Sequence, residues 1–263
     1  MNQFNNFLNH LVNTIQGDSQ VLAVCVAGSF IQNELDEYSD LDIVLVVEEN
    51  SFQMFEEMNQ LANSLGNLLS SFTGEHVGEK KLLICLFDSP LLHVDLKFVS
   101  LADFHFRVEN PVIIYDRSNL IPDVYKNSLP QWPKFDFQWV EDRFWVWIHY
   151  AGTKIGRGEL FEAIDFLSFL RTSVIGPMFH IKYDQNPRGV RKLEFILSSQ
   201  ELADLKKTYP SFEKHSIIQA LQDVSNIYVY LRNLLISDLK LRNETKERSL
   251  DFLFSLSKEI INE

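Results

Sequence analysis

With 263 residues, 46% of them hydrophobic, the chain can bury cores for two modest domains, and its acidic residues outnumber the basic ones 36 to 24. A formal net charge of −12 repels a polyanionic backbone and draws cationic small molecules, which makes nucleic acid a poor partner. Two cysteines in separate apolar runs exclude a disulfide framework. The absence of a basic-then-apolar leader and of any uninterrupted apolar stretch of about 18 residues leads to the expectation of a cytoplasmic protein with no membrane contact.

The predicted elements begin with an amphipathic helix over 2–16, where Phe4, Phe7, Leu8, Leu11 and Ile15 fall at helical spacing and Gly17 stops the pattern. VLAVCVA, 21–27, is a β-branched apolar run ending at Gly28, the pattern of a strand buried on both faces; a short helix is expected in the segment that follows Ser29. LDIVLVV, 41–47, repeats the strand pattern, and 51–67 returns to helical spacing. Two strands, 81–87 and 91–100, flank a DSP turn, and 111–116 is a further short strand. Beyond SLPQWPKFD, 128–136, the texture changes to long helices over 137–156, 159–175, 212–240 and from 247 onward. The expected fold class is α+β: a mixed sheet with flanking helices in residues 1–130, followed by a helical bundle in 131–263.

Chemistry concentrates in VAGSFIQNELDEYSDLDIVLVVEE, residues 26–49, where Asp40 and Asp42 stand at the mouth of an apolar strand. Strand alternation puts both on one face, with Cα atoms roughly 6.5 to 7 Å apart. Two carboxylates entering a buried strand repel each other and resist desolvation, a cost that a divalent cation offsets. Magnesium is the usual hard cation here, because it keeps waters and substrate phosphates in its shell. In the strand 92–98, His93, Asp95 and Lys97 alternate with Val94, Leu96 and Phe98, so Asp95 can join the patch. Three carboxylates can hold two ions about 3.5 to 4 Å apart for an in-line displacement at phosphorus. Gly28 allows close backbone approach, and a helix N-terminus after it presents amides and a positive dipole end to phosphate. Taken singly, these residues have plainer readings: a solvated strand end for Asp40 and Asp42, a turn for Gly28, an N-cap for Ser29, a satisfied polar neighbour for His93.

Taken together, Gly28-Ser29, ten intervening residues, Asp40-Leu41-Asp42 and then Asp95 resemble the signature of the nucleotidyltransferase superfamily, whose small sheet is like that of DNA polymerase β. Within it the chain is similar to the bacterial antibiotic nucleotidyltransferases, among them aminoglycoside and lincosamide adenylyltransferases. The resemblance implies transfer of a nucleoside monophosphate, AMP from ATP, to a hydroxyl of a small acceptor, with two magnesium ions. Asp40 and Asp42 would hold the nucleotide-associated ion. Asp95 would help bind the second and is the candidate general base, while Gly28 and Ser29 would meet the phosphates. In the second half, GTKIGRGELFEAIDFL, 152–167, looks like the helix-turn-helix that closes such active sites. Lys154 there resembles a lysine that relatives use to hold nucleotide phosphates, a solvated lysine being the alternative. Glu159, Glu162 and Asp165 share a helix face that is either water-facing or, turned to the cleft, suited to a polyamine acceptor. Glu159 and Glu162 also rival Asp95 as the base. Trp139, Phe144, Trp145, Trp147 and Phe161 read as packing residues rather than a stacking platform. Two alternatives of other classes stand beside this reading: a protein-modifying adenylyltransferase of a toxin–antitoxin pair, and a non-catalytic nucleotide-binding module. Chain length counts against the first and the three acidic positions against the second.

Overall fold

The computed structural model describes residues 2–262, which form two compact units, Met1–Pro133 and Lys134–Glu263. The first is built on a six-stranded mixed sheet. Its strands are β1 (Val21–Val26), β2 (Leu41–Val47), β3 (Asn67–Gly74), β4 (Glu79–Asp88), β5 (Leu92–Ser100) and β6 (Val112–Asp116), in the spatial order β3-β4-β5-β2-β1-β6. Only the central pair, β2 and β5, runs parallel; every other pairing is antiparallel. Helices α1 (Asn2–Ile15), α2 (Phe55–Ser64), α3 (Leu101–Phe104) and α4 (Ile121–Asn127) complete the unit.

The strand pattern explains where the core lies. Leu41, Ile43 and Leu45 of β2 and Val94, Leu96 and Phe98 of β5 point to one face, where Phe4, Leu8, Leu11 and Ile15 of α1 and Met58 and Ala62 of α2 bury them. On the opposite face, Ala23, Cys25 and Val46 pack under Phe104, Ile121 and Val124, with Val44 and Val99 at the margin. That apolar cover stops before the start of β2, so Asp42 and Asp95 on the same face stay partly exposed.

Some elements depart from the sequence expectation. α2 starts at Phe55 rather than 51, because Asn50 and Phe52 take left-handed φ of 68° and 51° and break the pattern ahead of it. β3 was not expected. Its residues, Leu69 and Phe72 among them, are largely exposed on the sheet edge, so pairing with β4 rather than a buried apolar run defines the strand. Both cysteines are buried thiols whose pKa burial pushes up to about 12, too high for thiolate chemistry.

The second unit is helical: α5 (Phe137–Gly156), α6 (Leu160–Leu170), α7 (Gly176–Lys182), α8 (Leu193–Ile196), α9 (Ser199–Lys207), α10 (Lys214–Leu235) and α11 (Asn243–Asn262). The expected helix 159–175 runs on to Lys182 through a π-helical turn at Arg171–Ile175, which widens where Pro177 has no N–H to donate. Phe144 and Trp145 lie in the core, Phe144 stacked on Tyr228 with ring centroids 3.8 Å apart. Trp139 and Phe161, expected to pack, are instead 46% and 77% exposed, because α5 and α6 turn those positions outward. Inside this core Glu141 accepts from Tyr228 Oη at 2.6 Å, from the Arg242 amide at 2.9 Å and from Arg232 Nη1 at 3.0 Å. Among the described residues no helix is long and apolar enough to cross a membrane.

Candidate active site

The parallel register of β2 and β5 brings the first two site residues together. Asp42 pairs with Asp95, between the pairs Leu41 with Val94 and Ile43 with Leu96. In-register residues on adjacent strands project to the same face about 4.8 Å apart, so the two carboxylates stand side by side at the uncovered end of the sheet. Asp40 precedes β2 rather than belonging to it, yet its charge reaches Asp95. Burial lifts the Asp95 carboxyl above the ordinary carboxylate range, His93 opposes that shift and Asp40 adds to it. His93 Nε2 approaches Asp95 Oδ1 to 3.1 Å, and this contact works against the upward shift of the carboxyl.

The expected three-carboxylate cage is not preformed. Among the described residues no three His, Cys, Asp or Glu side chains converge closely enough to hold a metal ion as they stand. Like charges repel, and the imidazole of His93 stands 3.1 Å from Asp95 Oδ1.

Gly28 is fitted to this corner by close approach. Its φ is +63°, and a Cβ there would lie 2.1 Å from Asp42 Oδ2, so a larger residue would have to displace this carboxylate or the turn. The Ala27 amide donates to the Asp42 carbonyl at 2.8 Å, which ties the end of β1 to the start of β2. Ser29 follows in a single 3₁₀ turn, Gly28–Phe30, and no α-helix succeeds it. The helix-dipole contribution expected after Ser29 is therefore absent, since one turn aligns too few peptide units, and Asn33 at φ 56° turns the chain away. The Gly28 amide donates to Oε1 of Glu109 at 3.0 Å. Glu109, 81 residues away, carries no local pattern that sequence reading could have caught.

The remaining predicted residues lie in the helical unit. Gly158, at φ +77°, reverses the chain between α5 and α6. Lys154 Nζ stands 2.8 Å from Glu159 Oε2 and 3.0 Å from Glu162 Oε2, and Tyr150 Oη donates to Glu162 Oε1. The contact with Glu159, then that with Glu162, holds the Lys154 ammonium above its ordinary range, while Tyr150 and then Lys154 lower the Glu162 carboxyl. The lysine expected to meet phosphate is thus engaged by the two glutamates expected to meet the acceptor, because the reversal at Gly158 folds them onto it. Asp165 of the same series is exposed.

A family description, streptomycin adenylyltransferase, matches residues 1–254 of the chain. The chain belongs to the streptomycin adenylyltransferase family. As a member it is a nucleotidyltransferase, an enzyme of a family that modifies antibiotics. No curated protein sequence matches it. Among solved structures, an aminoglycoside 6-adenyltransferase from Bacillus subtilis is 14% identical, with 96% of this chain and 95% of that one covered and a TM-score of 0.35. A spectinomycin adenyltransferase from Enterococcus faecialis, solved with ATP and spectinomycin, is also 14% identical, with 98% of each chain covered and a TM-score of 0.30.

In this streptomycin adenylyltransferase family member the donor set suits a hard divalent cation. Asp42 and Asp95 supply carboxylate oxygens from in-register positions on neighbouring strands.

Proposed function

We propose that this adenylyltransferase moves AMP from ATP to a hydroxyl of a small cationic antibiotic, with the transfer centred on Asp42 and Asp95. The observation that carries the reading is their in-register pairing beside a left-handed glycine turn that passes close to the Asp42 carboxylate. Asp40 and Asp42 would hold the nucleotide-associated magnesium and Asp95 would contribute to a second ion, while Gly28 and Ser29 would present the turn to the phosphates. Magnesium, when bound, neutralises charge on the phosphoryl oxygens and on the departing pyrophosphate.

Asp95 takes the proton of the acceptor hydroxyl as its oxygen bonds to the α-phosphorus, and pyrophosphate leaves with the electron pair of the broken bond. The net charge of −12 favours a cationic acceptor through long-range attraction.

Pyrophosphate release tests the reading, measured with ATP, magnesium and a panel of streptomycin, other aminoglycosides and lincosamides. Acceptor-dependent release that is lost in Asp42→Asn and in Asp95→Asn supports it. Magnesium-dependent ATP binding with no release for any acceptor would favour the non-catalytic module. Release that survives both substitutions would remove the two aspartates from the chemistry.

A further inference from the structure

Glu109 lies in the loop between α3 and β6, outside every segment that the catalytic reading uses, and its carboxylate accepts the Gly28 amide at 3.0 Å. The loop that carries it is pinned on both sides. On one side the buried Arg107 donates Nε to Asn110 Oδ1, and its Nη1 and Nη2 donate to the hydroxyl and carbonyl of Ser128, each at 2.6 Å. Its guanidinium also lies 4.7 Å from the centre of the Tyr125 ring, and its carbonyl accepts from the Gln131 amide at 2.9 Å. On the other side Tyr125 Oη donates to the Pro111 carbonyl at 2.5 Å. Two fixed points, at 107 and 111, thus present the part-buried carboxylate between them to one amide 81 residues away.

That amide belongs to the residue with the most to gain from a tether. Glycine at φ +63° has several other backbone wells of similar energy; the Ala27 amide holds the preceding residue to Asp42 and the Ile31 amide holds the Gly28 carbonyl at 3.2 Å, so the Glu109 carboxylate supplies the tether on the amide side of Gly28. A carboxylate acceptor makes a charge-assisted bond, stronger than a neutral one, and holds Gly28 itself in the conformation that skirts Asp42 Oδ2. We propose that Glu109 is a positioning residue of the nucleotide site: by holding the Gly28 amide it presents the Gly28–Ser29 turn to the triphosphate in a single conformation. The inference rests on the phosphate role given to that turn above.

The test needs no acceptor. Mg·ATP is titrated calorimetrically into wild type, Glu109→Gln, which keeps an acceptor oxygen and drops the charge, and Glu109→Met, which keeps the chain length and drops the acceptor. Glu109→Ala serves as a second acceptor-free variant, and thermal unfolding is recorded for all. The expected result is a Kd weakened about tenfold in the Met and Ala variants, the worth of one charge-assisted hydrogen bond, and rescue to within about threefold of wild type by Gln. A merely structural role would lower the unfolding temperature and leave the affinity of the folded protein unchanged. Wild-type affinity in folded Glu109→Met, or a loss in Glu109→Gln as large as in Glu109→Met, overturns the inference while leaving the catalytic reading intact. Failure of wild type itself to bind Mg·ATP overturns both.

Discussion

Replacing Gly28 by alanine, with Gly78→Ala as its partner, separates backbone strain from the close approach on which the site depends. Gly28 and Gly78 both take left-handed φ, +63° and +80°, but a Cβ at 78 would meet nothing within 4 Å, whereas at 28 it would lie 2.1 Å from Asp42 Oδ2 and 3.2 Å from its Cγ. Placing alanine in the left-handed region costs about 1 kcal/mol at either position. At Gly28 the overlap exceeds 1 Å relative to a carbon–oxygen contact of about 3.3 Å, so the carboxylate or the turn must move by about that much, for a further cost of about 1 to 3 kcal/mol. Urea unfolding should therefore show a loss of about 1 kcal/mol for Gly78→Ala and about 2 to 4 kcal/mol for Gly28→Ala. A displacement of about 1 Å in a group that positions the reacting phosphate costs about 100-fold in turnover, so pyrophosphate release should fall by that factor in Gly28→Ala and stay near wild type in Gly78→Ala. Equal stability and equal turnover in the two variants would refute the role assigned to this close approach.

Asp95→Asn should trade activity for stability. Burial raises the Asp95 pKa in the folded state, so folding favours its protonated form; the associated stability is present below the unfolded value near 3.8 and is lost as pH rises through the folded one. The asparagine variant should accordingly unfold about 1 kcal/mol later at pH 7 in metal-free buffer, with the gain vanishing below about pH 4. A variant less stable than wild type at pH 7 would contradict this. In the helical unit, Glu141→Ala strands the Arg232 guanidinium, which is only 5% exposed, and should cost about 3 to 5 kcal/mol by urea denaturation. Burial alone would raise the Glu141 pKa, but hydrogen bonds from the Arg242 amide, Tyr228 and Arg232 outweigh it and hold the carboxyl below its ordinary 4.5. Its contribution is thus present above pH 4.5 and should fade on acidification, so the gap between wild type and variant must narrow toward pH 3. A gap that stays constant or widens would show that the ion pair is not the source.

The elements that sequence reading places well are those whose burial is written into alternation. β2 and β5 are apolar on one face and carry Asp42, Asp95 and Lys97 on the other, so both the strands and the shared direction of the two carboxylates follow from a period of two. β3 carries no such signal: it is an edge strand whose residues face mostly water, and only its ladder with β4 defines it. The short helix expected over SFIQNELDEY is cut to one 3₁₀ turn, held by tertiary tethers at Ala27 and Gly28 and by the left-handed Asn33. Lys154 shows the opposite limit, since helical spacing finds its neighbours Glu159 and Glu162 without saying that the reversal at Gly158 will fold them onto it. Glu109 is beyond any local pattern, because its partner is supplied by the path of a loop rather than by a periodicity.

The central claim is that Asp42 and Asp95 share the metal–nucleotide site of an adenylyltransferase. Anomalous diffraction from a crystal soaked with Mn2+ and a nonhydrolysable ATP analogue tests it most directly. The expected result is manganese density about 2.1 Å from a carboxylate oxygen of each aspartate, one ion at Asp42 and one at Asp95, with the phosphates of the analogue against the Gly28–Ser29 turn. Density that leaves Asp95 outside coordination distance, or a triphosphate lodged away from that turn, would contradict it.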